Sequence, residues 1–213
     1  MRKYAVEFIG TFFLVLTIFC AVVGHKPDDG VVPALAIGFS LMVMVYAGGH
    51  ISGGHYNPAV TTAVFIRGRC AAQDVPGYMI AQVLGGLTAA FIATTFIKAG
   101  FAIEEPKASA NVPAVLIAEF LYTFALAYVV LNVATSKKTE GNSYYGLAIG
   151  STVLVGAFAV GAISGGAFNP AVAISAAVFK LIPLSQVWIH LVADFAGGAA
   201  AGFAFLALNP DDK

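Results

Sequence analysis

The chain has 213 residues, 59% of them hydrophobic and only 10% charged, with a formal net charge of +0 and a mean hydropathy of +0.86. A soluble domain carries about 25% charged residues. The deficit is too large for a water-soluble globule, so lipid is the expected solvent, and the balanced charge gives no electrostatic sign of nucleic-acid or anionic partners.

In chain order, the first apolar run covers 4–23. Arg2 and Lys3 precede it as they would a cleaved leader, but Glu7 interrupts the run and its length suffices to span a bilayer. It is therefore read as a retained helix. Polar residues at 25–30, with His25 exposed, separate it from a second run at 31–47, and His50 is assigned to the loop that follows. The turn Ile51-Ser52-Gly53-Gly54 then leads into a short apolar segment at 57–66. A third span is expected at 75–99 and, beyond the polar stretch 100–111, a fourth at 112–134. A fifth at 144–162 follows polar residues 136–143. The turn Ile163-Ser164-Gly165-Gly166 introduces a second short segment at 169–179, and a sixth span closes the chain at 185–208.

The six long runs suit a hydrocarbon core of about 30 Å. A helix of about ten residues is only about 15 Å long, so the short segments reach halfway. Short, glycine-interrupted segments at matching places point to a membrane transport site. Irregular backbone at that depth is tolerated only where protein or a water-filled cavity satisfies it. The two cysteines, Cys20 on an apolar run and Cys70 beside Arg69, form neither a metal-ligand spacing nor a disulfide framework, and are read as free thiols.

The chain repeats itself at a constant offset. Glu7 and Glu119 stand 112 residues apart, as do Asn57 and Asn169, Ala36-Ile37-Gly38 and Ala148-Ile149-Gly150, and Gly85-Gly86 and Gly197-Gly198. The block Ile-Ser-Gly-Gly-x-aromatic-Asn-Pro-Ala-Val occurs twice, ending at Val60 and Val172. One domain, 1–213, is thus expected to hold two repeats, approximately 1–110 and 111–213. Three spans per copy force the second copy to begin on the opposite side, so the halves are inverted and the short segments meet near the midplane. Arg2, Lys3, Arg67, Arg69, Lys137, Lys138 and Lys213 fall on one side, against Lys26, Lys98, Lys107 and Lys180 on the other. That bias places both termini in the cytoplasm.

Asparagine is a preferred N-cap, and proline suits the first helical position because its missing N–H would go unpaired there anyway. Two Asn-Pro-Ala starts (Asn57, Pro58, Ala59 and Asn169, Pro170, Ala171) on half-length helices of inverted copies are far more specific than one. Each N-terminus carries about half a positive charge. Facing each other, the two repel cations. The Asn57 and Asn169 amides can donate to a passing oxygen while loop carbonyls accept from the same solute, a path suited to water or a small polyol.

At these boxes the chain resembles the aquaporin, or major intrinsic protein, family, and the Val6-Glu7-Phe8, Ala118-Glu119-Phe120 and Gln82-x-x-Gly85-Gly86 patterns are similar too. The resemblance covers nearly the whole chain. It implies an all-α membrane protein with six transmembrane helices and two re-entrant half-helices as an inverted repeat, a pore in each protomer and a homotetramer in the bilayer. It implies no cofactor, no metal and no nucleic acid. Selectivity by pore width, hydrogen bonding and half-helix dipoles is the general rule for such channels. Small-residue patches such as Gly198-x-x-x-Gly202 fit close helix packing, within a protomer or between protomers.

Glu7 and Glu119 lie inside apolar runs, where a carboxylate is costly and is usually paired or functional. A proton relay is one role. The resemblance implies another, in which each carboxylate accepts hydrogen bonds from loop backbone and steadies a re-entrant segment together with Gly53, Gly54 and Gly165. His55 is expected to line the cytoplasmic vestibule or fix its loop. Asp194 is the mate of Gln82, at a place where the family more often has proline. With His190 four residues earlier on the same helix face, a buried His190–Asp194 pair is the hypothesis, either as a structural contact or as a pH gate.

The family's outer constriction maps by spacing to Ile37, Ala157, Gly166 and Val172, the last standing where an arginine is usual. None of the four carries charge, a ring or a side-chain donor. The expectation is a wide, apolar filter that admits water together with a larger neutral solute such as glycerol, urea, ammonia or hydrogen peroxide. A one-residue slip at Ala157 would present Phe158 instead and narrow the hole. The function expected is a passive channel for water and small neutral solutes. The alternatives are an aquaglyceroporin-like or peroxide, ammonia or urea facilitator, and, further off, an ion-coupled transporter. None of the three intramembrane acids falls on a short segment, as an ion site would need. Ser52 and Ser164 sit beside His50 and Ala162, so no nucleophile and base recur, and no catalytic residue is assigned.

Overall fold

The computed structural model describes residues 1–23, 31–103 and 106–212. His25, Lys26 and Lys213 lie outside the described residues. The helices are α1 (Arg2–Val22), α2 (Val31–Ser52), α3 (Pro58–Ile66), α4 (Val75–Ile92), α5 (Val112–Val130), α6 (Tyr145–Ser164), α7 (Pro170–Val178) and α8 (Val187–Leu208). Single π-helical turns, Ala93–Ile97 and Leu131–Thr135, continue α4 and α5. Six helices are long and apolar enough to cross a membrane, and no strand occurs among the described residues. The remaining two, α3 and α7, have nine residues each.

The expected spans are present, but α2 and α6 run on to Ser52 and Ser164. His50 is accordingly helical rather than in a loop, a correction to the sequence reading. Gly48 and Gly49 do not stop α2, because the helical hydrogen-bond ladder carries through them: the Gly53 N–H still bonds the Gly49 carbonyl at 2.9 Å. What ends each helix is a left-handed residue just past it, Gly53 at φ 89° and Gly165 at φ 88°. Glycine adopts that conformation without the steric cost a side chain would add.

The helices pack by repeat. Within the first copy α1 lies against α2 and α4, within the second α5 lies against α6 and α8, and α2 crosses α6. At that crossing Gly38 faces the Gly150 backbone and Gly150 faces the Gly38 carbonyl, so any side chain there would hold the halves apart. Each half-helix docks mainly on the other copy, α3 on α8 and α7 on α4. Gly198 meets the Ala59 carbonyl and Gly202 meets Ile66, so the small-residue patch on α8 is used inside one chain. Large apolar side chains such as Ile80, Leu84, Ile117, Leu121 and Phe203 are exposed on the outside. Polar groups gather within. Lipid on the outer face accounts for that inversion.

Candidate functional site

The site is built where the two half-helices begin. Asn57 and Asn169 are the N-caps of α3 and α7, with proline at the first helical position in each. Asn57 Oδ1 accepts from the Ala59 N–H at 2.8 Å, and Asn169 Oδ1 accepts from the Ala171 N–H at 2.9 Å. Capping therefore occupies each amide oxygen and turns each NH2 away from its own helix. One hydrogen of each NH2 crosses to the opposite loop: Asn57 donates to the Phe168 carbonyl at 2.8 Å and Asn169 to the Tyr56 carbonyl at 2.9 Å. An amide NH2 has two hydrogens, so each asparagine keeps one for a solute. Both asparagines are buried and line one central cavity.

The loops before the caps share one backbone form. Gly53, Gly54 and Tyr56 have φ of 89°, 62° and 50°, and Gly165, Gly166 and Phe168 have φ of 88°, 65° and 47°. A left-handed aromatic residue carries strain of about 1–3 kcal/mol and persists only when its surroundings fix it. Here they do. The Tyr56 N–H donates to Glu7 at 2.6 Å and the Phe168 N–H to Glu119 at 2.7 Å, while each carbonyl is held by the far asparagine.

Glu7 also accepts from the His55 N–H at 3.0 Å, the Ser52 hydroxyl at 2.6 Å and the Gln82 amide at 2.8 Å. Glu119 accepts from the Ala167 N–H at 3.1 Å. Both carboxylates are fully buried, so these charge-assisted bonds offset a desolvation cost of several kcal/mol. The Thr61 hydroxyl gives its one hydrogen to the Asn57 carbonyl at 3.0 Å and accepts from Gln82 at 3.0 Å. His55 Nδ1, 3.1 Å from the same hydroxyl, must then be the donor in that contact.

The expected His190–Asp194 pair is not made, the second correction to the sequence reading. His190 Nε2 turns to the Ser164 carbonyl at 2.9 Å, and Asp194 accepts from the Thr123 hydroxyl at 2.9 Å. Helical spacing put the two on one face, but each side chain found a partner on a neighbouring element instead.

The central cavity holds about 20 Å3, and its walls are aliphatic: Ile37, Leu41, Ile149, Val153 and Val172 with Leu14 and Leu126. A water needs at least about 10–15 Å3 of such space, so the cavity has room for about one water, narrower than the wide filter expected from the sequence. Gly166 and Val172 line it with Ile37, whereas the half-buried Ala157 does not reach it. Phe158 is 49% exposed and absent from the lining, so the slip that would bring it inward is not realised. His55 joins this cavity to a vestibule of about 750 Å3 that also meets His50, Arg69, Asp74 and Lys137.

Sequence reasoning missed the lining residues Leu41, Ile149 and Val153, although the offset of 112 makes Ile149 the mate of Ile37 and Val153 that of Leu41. It also missed a latch at the vestibule rim. Arg67, counted only as a loop charge, is buried beneath Phe205, with its ring 4.6 Å away, and pairs with Asp212 at 2.7 Å. Nothing in the sequence near either residue signals the pair.

Comparison with known proteins agrees with this geometry. The family model described as Major intrinsic protein matches residues 1–205. The chain is 37% identical to glycerol uptake facilitator protein-like 6 of Lactiplantibacillus plantarum, over 100% of both chains. It is 36% identical to aquaporin NIP1-1 of Arabidopsis thaliana, over 100% of this chain and 75% of that one. The X-ray structure of the aquaglyceroporin from Plasmodium falciparum superposes with a TM-score of 0.77 at 22% identity, covering 96% of this chain and 94% of that one, a likeness of fold.

Proposed function

The chain belongs to the major intrinsic protein family and is a passive membrane channel for water and small solutes, and on that premise we propose that it conducts small neutral solutes beyond water through a filter made of Ile37, Gly166 and Val172, without the Ala157 that spacing alone assigned to it. The observation that carries this reading is the aliphatic passage beside two asparagines that are bonded to each other's loops and left with one donor each.

A solute oxygen at the centre accepts from Asn57 and Asn169 beside the aliphatic wall and the loop residues Gly166 and Ala167. It sits between two helix N-termini that disfavour cations. Ions find no replacement for their hydration shell on the aliphatic walls. With valine where an arginine is usual, a polyol meets neither a fixed positive charge nor a rigid ring at the outer mouth. Similarity over the full length to a protein called a glycerol uptake facilitator supports glycerol among the permeants. Urea, ammonia and hydrogen peroxide meet the same chemistry.

In this reading the Asn-Pro-Ala boxes are the central barrier, and Glu7, Glu119, His55, Gly53, Gly54 and Gly165 support the loops. One domain holds two inverted repeats, 1–110 and 111–213. Both termini lie in the cytoplasm and four copies assemble in the bilayer. The family's members are channels, and no side chain here is assigned a catalytic role.

Proteoliposomes under an osmotic step test the proposal. They should swell with glycerol and carry water faster than empty vesicles, while planar bilayers with the same protein carry no ion current. Swelling no faster than that of empty vesicles, or a current that follows an ion gradient, defeats it.

A further inference from the structure

The two copies of the repeat differ in how each secures its loop carboxylate. In the first, Gln82 gives an amide hydrogen to Glu7 and Tyr78 gives its hydroxyl to the Ser52 carbonyl at 2.7 Å. At the same offset of 112 the second copy has Asp194 for Gln82 and His190 for Tyr78. His190 keeps the Tyr78 contact, on the Ser164 carbonyl. Asp194 has no amide hydrogen to give.

Asp194 is fully buried. Its Oδ1 accepts from Thr123, the backbone N–H of Asn169 is directed at the carboxyl, and Oδ2 is left without a well-formed hydrogen bond. The carboxyl adjoins that of Glu119. It cannot back away: α8 is seated so closely on α5 that a Cβ on Gly197 would lie 2.6 Å from the Phe120 carbonyl. The other charges facing the pair are few. His190 Nε2 is 3.9 Å from Glu119, but a carbonyl only accepts, so Nε2 spends its hydrogen on Ser164, and Nδ1 is buried without a partner. The other helical elements packed on α8 besides α5, namely α3, α7 and the turns Leu131–Thr135 and Leu184–Gln186, contain no titratable residue. Two negative charges in contact in a dry site repel strongly, whereas one proton between them makes a short O–H···O⁻ bond. Glu119 already accepts two backbone N–H groups, one on each oxygen, so within the pair it is placed as the acceptor.

We propose that Asp194 is a positioning residue that carries a proton and donates it to Glu119, doing with an acid what Gln82 does for Glu7 with an amide. Glu119 holds the N–H groups of Ala167 and Phe168, and Gly166 and Ala167 line the passage. The shape of the passage in the second copy therefore depends on that proton.

Infrared spectra of the protein in proteoliposomes at neutral pH read the proton directly. The wild type should show a protonated-carboxyl C=O band that shifts in deuterium oxide and disappears in Asp194→Asn. Asparagine restores a donor, so Asp194→Asn should keep wild-type permeability, while Asp194→Ala should lose most of it. The proposal is overturned if no such band exists, if it survives in Asp194→Asn and vanishes only in Glu119→Gln, or if Asp194→Ala conducts like the wild type. The infrared reading is independent of transport. Wild-type vesicles as tight as empty ones would defeat the channel reading alone, with the band still deciding the carboxyl.

Discussion

The amide of Asn57 donates to the carbonyl of Phe168 at 2.8 Å, and Asn169 returns the bond to Tyr56 at 2.9 Å. Each half-helix is thereby tied to the loop that leads into the other. Asn57→Ala removes both the cap of α3 and the bond to Phe168. Cap loss costs about 0.5–2 kcal/mol, and the stranded carbonyl about 1–3 kcal/mol more. Thermal unfolding in detergent should show the loss, together with reduced water permeability. An unchanged melting temperature with full permeability would mean the cross-bond holds nothing.

The two loop carboxylates should not be equivalent. Glu7→Ala strands four donors, from Ser52, His55, Tyr56 and Gln82, whereas Glu119→Ala strands the two N–H groups of Ala167 and Phe168. At about 1–3 kcal/mol for each stranded group, Glu7→Ala should unfold at the lower temperature. Equal melting temperatures would contradict the count.

Gly198 and Gly161 make a matched pair. A Cβ on Gly198 would enter the Ala59 carbonyl, so Gly198→Ala must push α8 off the first half-helix, while Gly161 has open space around it. Overpacking of this kind costs about 1–3 kcal/mol, and alanine in place of a helical glycine with room around it gains up to about 1 kcal/mol. The first variant should conduct poorly and melt early, and the second should be neutral or more stable. The reverse order in a melting series would refute the packing described.

The rim latch makes stability depend on acid. Asp212 is held below its ordinary value of 3.8, first by the Ser136 hydroxyl, then by the Lys137 N–H and by Arg67. A carboxyl depressed in the folded state contributes stability that is present above the ordinary value and is lost as pH falls through the folded one. Asp212→Asn should lower the melting temperature at neutral pH and flatten its decline below about pH 4. Part of the decline remains, because Asp74 is depressed in the same sense by Lys3 and Tyr4. Parallel acid limbs in variant and wild type would remove the latch.

Much of this architecture was legible because lipid enforces simple rules. Long apolar runs gave the six spans, and one offset gave the inversion and the meeting of Asn57 with Asn169. What stayed hidden depended on side-chain direction. His190 and Asp194 share a helix face, yet one turns to Ser164 and the other to Thr123. His50 looked like loop because it follows the apolar run that ends at Ala47, although only the left-handed Gly53 ends the helix. Arg67 and Asp212 are far apart in sequence, and no pattern joins them before the chain folds.

The central claim is that the missing arginine widens the range of permeants. Stopped-flow swelling with glycerol and urea, in proteoliposomes of wild type and Val172→Arg, tests it most directly. Arginine should cut both solute permeabilities about tenfold or more, an added barrier of about 1.4 kcal/mol, while water is slowed far less. Glycerol and urea entering the variant as fast as the wild type would contradict the account.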